Sequence, residues 1–463
     1  MTHYETDLNF LFSGKRLRFY REFFVLHQTC SPAKSPEKLY MNQYVRERRQ
    51  MNLGVSLSDP FSQRPELGQS RRFQSDEKTL FAISRQIAEA AERARFDAIL
   101  IGRDLRLDNR GAEFEPDKLL AALVRSTERI GLVAPVSTEN TDPYSIAGSF
   151  SALDHLSRGR AGLALAPEKE TKPGVATERV EDYVNLMTGL WSSWEIDAID
   201  YSQANAGYES THSDNEVVLL SRNKMPKPNS IAAAPELNGH PVLVQSVVSE
   251  ADEKLAVRSA EVALTLPASF DEARRIYARL KGKLGRCGRS PDSMKIMAGI
   301  MPIVGRAMHQ AFERYEELIA ALESSGFSGS ISSLTGSGDV SSVRSGWEIG
   351  WKTLENDRPD RSVEPVPVMT GTIDGYPVLL GTPQMMADEL EKWFFGDAAD
   401  GFLITPPYLS NGFEDFVNLV VPELQIKGVF RTDYSGHTLR DHLGVERSVN
   451  PVGKRMFHFS LAS

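Results

Sequence analysis

Ser249, Glu250, Ala251 and Asp252 stand a few residues behind the apolar run PVLVQ at 241–245. A serine in that position is a natural helix N-cap, with SEADEKL opening the helix behind it. The first N–H groups of such a helix lack intrahelical partners, so the terminus can hold an anion such as a phosphate. The same four residues also fit a capping box, in which Asp252 turns back and fills that terminus itself. The residues alone leave both uses open. Six more short polar stretches follow apolar runs in the same way: Ser56 to Asp59, Gly102 to Asp104, Ser137 to Asn140, Ala166 to Glu168, Pro267 to Ser269 and Thr405 to Tyr408.

Motifs for most other chemistries are missing. The nine histidines include no HExxH and no pair at ligand spacing beside a third ligand, so no metal site is expected. His437 and His442 are assigned to the C-terminal tail. GSGDVSS lacks the strand-then-helix setting of a dinucleotide fingerprint, and there is no GxxxxGK[ST]. No GxSxG elbow precedes a helix, which argues against a serine hydrolase. What remains is chemistry carried by a bound organic cofactor, or none.

The elements that position these stretches alternate strand and helix from residue 51 onward, the pattern of a parallel sheet with crossover helices. Eight strands are predicted: 51–57, 97–102, 130–136, 161–166, 241–245, 260–266, 294–304 and 401–405. Most are apolar throughout, as strands covered on both faces should be. The clearest amphipathic helices are 76–95, 115–128, 176–194, 269–284 and 307–324, with a closing helix at 413–427. Eight strands fit a closed (β/α)8 barrel, the TIM barrel of the α/β class, better than a doubly wound sheet. In such a barrel the active site is built where the strands end, which is where the polar stretches lie.

Three segments exceed the bare barrel. Residues 1–50 form an N-terminal extension, basic over 15–49 with nine Lys/Arg against three Glu. It reads as a solvated or partner-docking arm. An insertion spans 195–240, and a second, Gly/Ser-rich one at 326–382 reads as a lid or a disordered loop. The barrel proper is assigned to 51–445 and a tail to 446–463. A net charge of −9 argues against nucleic acid as a partner. Two cysteines, Cys30 and Cys287, suit a reducing compartment and are expected as thiols. With no apolar leader and no membrane-length run, a cytoplasmic protein is expected.

The run EPDKLLAALVRSTERIGLVAPVSTENTDPYSIAGSFSALDHLSRGRAGLAL resembles the nitrilotriacetate, EDTA and dibenzothiophene-sulfone monooxygenases, within the bacterial luciferase-like flavin monooxygenases. Further similar stretches are GLWSSWEIDA, GHPVLVQSVVSEA, GTPQMMADELEKWF, ADGFLITPPYLSNGFEDFVNLVVPELQIKGVFRTDY and TLRDHLGV, together covering about 51–445. The resemblance implies a two-component system. A separate NAD(P)H:flavin reductase supplies reduced FMN, and the oxygenase uses it with O₂ to oxidise a small organic substrate, often beside nitrogen or sulfur. It also implies a homodimer or larger homo-oligomer. Because the oxidant is the cofactor, no catalytic base is named.

Ser137, Thr138, Thr177, Gln245, Ser246 and Ser249 occupy the positions that the resemblance assigns to the flavin. Around them the family pattern is broken. A tryptophan followed by Asn-Val-Val-Thr-Ser becomes Leu163, Ala164, Leu165, Ala166, Pro167 and Glu168. An Arg-Tyr pair becomes Ala176 and Thr177. Gln-Ala-Gly-x-Ser-x-x-Gly becomes Gln245 to Asp252, with Val247 and Asp252 in place of both glycines. An Ala-Asp pair becomes Gly102 and Arg103, and paired histidines are absent after the first strand. The alternative expectation is therefore a flavin-free, catalytically inactive barrel acting as a partner subunit or regulator.

Overall fold

The computed structural model describes residues 49–57, 77–102, 116–138, 141–165, 175–192, 240–324, 331–333, 368–373, 375–407 and 411–446. The eight strands expected from apolar runs are β1 (Asn52–Leu57), β2 (Ala98–Ile101), β3 (Gly131–Val136), β4 (Ala161–Leu165), β5 (Val242–Ser246), β6 (Val262–Thr265), β7 (Lys295–Val304) and β11 (Gly401–Ile404). Each pairs in parallel with the next, and β11 pairs with both β1 and β7, which closes the barrel. Helices α1 (Glu77–Arg93), α2 (Pro116–Val124), α3 (Pro143–Ser157), α4 (Val175–Ser192), α5 (Glu250–Ser259), α6 (Phe270–Arg286) and α7 (Met308–Ser324) alternate with these strands. This is the (β/α)8 architecture.

Strand β7 is long because it serves two sheets. Its first half, Met297 to Ile300, pairs with β11, while Met301 to Val304 pairs with β10 (Tyr376–Gly381). β10 runs antiparallel to β9 (Val368–Ile373), which pairs with β8 (Ile331–Ser333). The insertion read as a lid or disordered loop is thus strand at both ends. Its central portion, 334–367 with GSGDVSS, lies outside the described residues, as do 1–48, 193–239 and 447–463. Helix α8 (Pro383–Phe395) leads from β10 toward β11. It is followed by α9 (Asn411–Asp415), a π-helical turn at Phe416–Val420, α10 (Val421–Ile426) and α11 (Leu439–Leu443).

Alternation along the strands sorts the core into two layers. Val133, Ala164, Val242, Val244, Val262 and Met297 pack inside the barrel, together with Leu439 and Leu443 of α11. Outward-facing Val55, Ile99, Leu163, Leu243, Ile300 and Phe402 pack under the helices. Leu439 enters the barrel's lower end because two facing residues lack side chains. A Cβ on Gly131 would lie 2.4 Å from Leu439 Cδ1, and one on Gly162 3.2 Å from its Cδ2. The same end is tied by buried polar groups. Asp97 accepts from Asn52 Nδ2 at 2.9 Å and from Leu53 N at 2.6 Å, and it pairs with Arg431 at 2.5 Å. Arg431 also donates to His442 O at 2.8 Å. Arg160, from the SRGRAG stretch, donates to Thr127 Oγ1 and Ile130 O, both at 2.8 Å. Its role is to staple β3 to β4 rather than to meet a ligand.

Candidate functional site

With α11 plugging one end, the open end is where the strands finish. Inward parity is set by Gly54, Leu100, Val133, Val244, Leu264, Met297 and Leu403, which line the barrel's internal cavity. Two residues further along each strand, the same face carries Ser56, Gly102, Pro135, Ser246, Leu266, Gly299 and Thr405, with Ser137 one step above Pro135. Four hydroxyls therefore ring the mouth: Ser56, Ser137, Ser246 and Thr405.

Thr405 is the telling member. It is fully buried, its N–H donates to Ile300 O at 2.9 Å, and its Oγ1 has no partner. A buried hydroxyl left unbonded costs about 1–3 kcal/mol, so such groups mark places where a ligand or water completes the bond. Beside it, Leu266 reaches over Gly299. A Cβ there would lie 2.6 Å from Leu266 Cδ2 and 3.3 Å from the Tyr376 ring. β10 thus hangs an aromatic edge over the mouth, and only a glycine at 299 leaves it room.

The residues expected at a flavin are placed unequally. Ser137 and Ser246 are half-buried on the inner face. Thr141 donates to the carbonyl of Ser137 and lies 3.0 Å from Tyr183 OH, which ties the backbone of Ser137 to α4. Burial pushes the Tyr183 hydroxyl up from its ordinary value, so it stays a neutral donor. Thr138 is half-buried beside Ser137. Gln245 has outward parity; its amide donates to Ser246 O at 2.9 Å and its Oε1 is buried without a partner. Thr177 lies in the first turn of α4, and its side chain is outside the described residues, as are Arg103, Ala166 and Pro167. Ser56 and Thr405 were within reach of the strand-end rule. The signal that selects them is parity counted from Gly54 and Leu403.

At α5 the two uses open to the sequence resolve into the capping box. Asp252 Oδ2 accepts from Ser249 N at 2.9 Å, Ser249 Oγ at 2.8 Å and Val248 N at 3.2 Å, while Ser249 Oγ accepts from Asp252 N at 3.2 Å. A phosphate about 4 Å from that carboxylate would meet repulsion of about 4 kcal/mol per unit charge at an effective dielectric near ~20, before solvent screening. A helix terminus returns roughly 0.3–1 kcal/mol.

The sequence profile of the luciferase-like monooxygenases matches residues 51–395. The chain belongs to that family. It is 31% identical to N-acetyl-S-(2-succino)cysteine monooxygenase of Bacillus subtilis (strain 168) over 405 residues, 80% of this chain and 91% of that one. It is 32% identical to nitrilotriacetate monooxygenase component A of Aminobacter aminovorans over 396 residues, 79% of this chain and 85% of that one. The solved EDTA monooxygenase of Chelativorans sp. BNC1 superposes with a TM-score of 0.65 at 23% identity, covering 86% of this chain and 99% of that one. The luciferase-like fold and the oxidoreductase class expected from the sequence are both found. Among the described residues no helix is long and apolar enough to cross a membrane.

The described residues suit a flavin at one end and not at the other. The inner-face hydroxyls and the orphaned Thr405 Oγ1 fit the polar edge of a ring or a polyol chain. The self-filled α5 terminus does not fit a phosphate.

Proposed function

We propose that this luciferase-like chain is the oxygenase component of a two-component monooxygenase. Reduced flavin, FMN in the family pattern, comes from a transiently encountered NAD(P)H:flavin reductase. The substrate is a small organic molecule bearing a carbon–nitrogen or carbon–sulfur bond, as in the relatives' names. Bound reduced flavin supplies the electrons with which O₂ delivers one oxygen atom to the substrate and the other to water. The protein holds and orients the ring through Ser56, Ser137, Thr138, Ser246 and Thr405, while Leu266 and Tyr376 keep water from the mouth. Thr177 and Ser249 were assigned to the flavin from the sequence; Ser249 is spent on its own helix cap.

The observation that carries this reading is the buried, unpartnered Thr405 hydroxyl on the inner face of a luciferase-like barrel. The test mixes the chain with NADH, a flavin reductase, flavin and a panel of amines, thioethers and sulfones, and follows product by mass spectrometry. Incorporation of one ¹⁸O from ¹⁸O₂ is expected with at least one class. Hydrogen peroxide alone, equal with and without each candidate, sinks it. A second reading, a flavin-free barrel serving as a partner subunit or regulator, is favoured by the Asp252 cap alone. It predicts no saturable binding of any flavin, oxidised or reduced.

A further inference from the structure

We infer that the flavin this barrel prefers carries no 5′-phosphate: riboflavin rather than FMN. The inference rests on the flavin reading of the mouth and narrows it. FMN differs from riboflavin by one terminal phosphate of about −1.5 to −2 charges at neutral pH, which must be met by free N–H groups or cations. In a barrel those N–H groups belong to the helices that open at the strand ends.

At two of them the chain's own carboxylates already bond terminal N–H groups, and at a third, α6, a carboxylate of the first turn bonds the N–H just before the Ser269 cap. At α3, Asp142 Oδ2 accepts from Ser145 N and Ser145 Oγ, each at 2.9 Å. At α5, Asp252 Oδ2 accepts from Val248 N, Ser249 N and Ser249 Oγ. At α6, Glu272 Oε2 accepts from Ala268 N at 2.8 Å. Asp271 and Glu250 add further negative charge in the first turns of α6 and α5. An acidic rim of this kind stabilises its helices and repels a phosphate for the same reason.

A ribityl chain ending in a hydroxyl meets no such penalty. It needs neutral donors and acceptors, and Ser137, Ser246 and the unpartnered Thr405 Oγ1 offer them within the mouth. At the start of α7 the Arg306 N–H is taken by Gln310 Oε1 at 3.1 Å, a neutral cap. The exposed Arg306 side chain makes this a described part of the rim where a phosphate would be tolerated, and α8, capped by Thr382 with no acidic residue in its first turn, is another.

The experiment titrates the full chain anaerobically with photoreduced riboflavin and photoreduced FMN, reading equilibrium binding by fluorescence or calorimetry. Riboflavin is expected to bind at least about tenfold more tightly, with the gap widening as salt is lowered because repulsion is then less screened. Asp252→Asn removes the charge and keeps an acceptor for the cap. It should narrow the gap to about threefold or less by improving FMN alone, leaving riboflavin as an internal control for folding. FMN binding as tightly as riboflavin overturns the inference and leaves the flavin reading standing. Failure of either flavin to saturate overturns the flavin reading itself. An unchanged ratio in Asp252→Asn overturns the role given to Asp252.

Discussion

Thr405 and Asp252 carry opposite messages about the same opening, and each can be tested without the other. Thr405→Val keeps the side chain's shape and removes the hydroxyl. In the unliganded protein that hydroxyl is buried and unbonded, so its loss should leave stability unchanged or raise it by about 1 kcal/mol. If the hydroxyl completes its bond with flavin, affinity should fall about five- to tenfold. Thermal melting and flavin titration on one sample separate the two signs; a drop in both would make Thr405 a packing residue. Ser249→Ala reads the cap itself. It removes a partner of Asp252 and should cost about 1 kcal/mol of stability, measured by denaturant titration. Ser249 and Asp252 were visible in the sequence as a capping box competing with an anion site. Their hydrogen bonds decide for the box, which a one-dimensional pattern cannot do.

At the scale of elements, the strands were legible because a parallel strand covered on both faces must be apolar along its whole length, as LVAPV and KIMAGIMPIV are. Helix α3 is marked in the sequence only by Asp142-Pro143, a cap followed by proline at the first helical position, and α8 repeats the device with Thr382-Pro383. Its weak two-sided pattern hides it from a search by periodicity. The β9–β10 hairpin has its signal in the sequence Asp374-Gly375, with Gly375 at φ +80°, but the Gly/Ser-rich composition upstream masks it. The role of α11 could not be read, since nothing local says that Leu439 enters a barrel some 300 residues away in sequence. That packing gives a sharp prediction. Gly131→Ala should cost about 1–3 kcal/mol by driving a methyl into Leu439, and Leu439→Ala about 2–5 kcal/mol by leaving a hole. The double variant should be more stable than the sum implies, by roughly 1 kcal/mol or more of coupling. Strict additivity in denaturant titrations would mean that α11 does not seat as described.

Across the whole molecule, the buried titratable groups around α11 give the fold a stake in pH, and the histidines among them set its direction on the acid side. His442 is held in α11 with its Nε2 3.3 Å from Gly436 O and its ring centroid 4.6 Å from that of Tyr434. Burial, seconded by the Arg431 guanidinium, lowers its pKa to about 4, although Asp441 pulls the other way. His240, stacked on Trp191 at 5.6 Å, is lowered by burial as well, against Glu261. A histidine whose folded pKa lies below its unfolded value takes up its proton more readily when unfolded. Stability from keeping it neutral is therefore complete above about pH 6.5 and is lost as pH falls toward 4. For His442 alone the loss between pH 7 and 5 is about 2 kcal/mol. Asp97 runs against this, because burial raises its carboxyl despite Arg431 and protonation there costs the fold less than it would in water. A carboxyl raised in this way gains stability as pH falls and offsets part of the histidines' loss, so the share belonging to His442 is isolated by substituting it. Guanidinium midpoints should fall steadily from pH 7 to 5 in the native chain, and His442→Gln, itself weaker at pH 7, should show a slope shallower by that amount. A midpoint flat across the window, or a slope unaltered by the substitution, would place the acid sensitivity elsewhere than in the α11 plug.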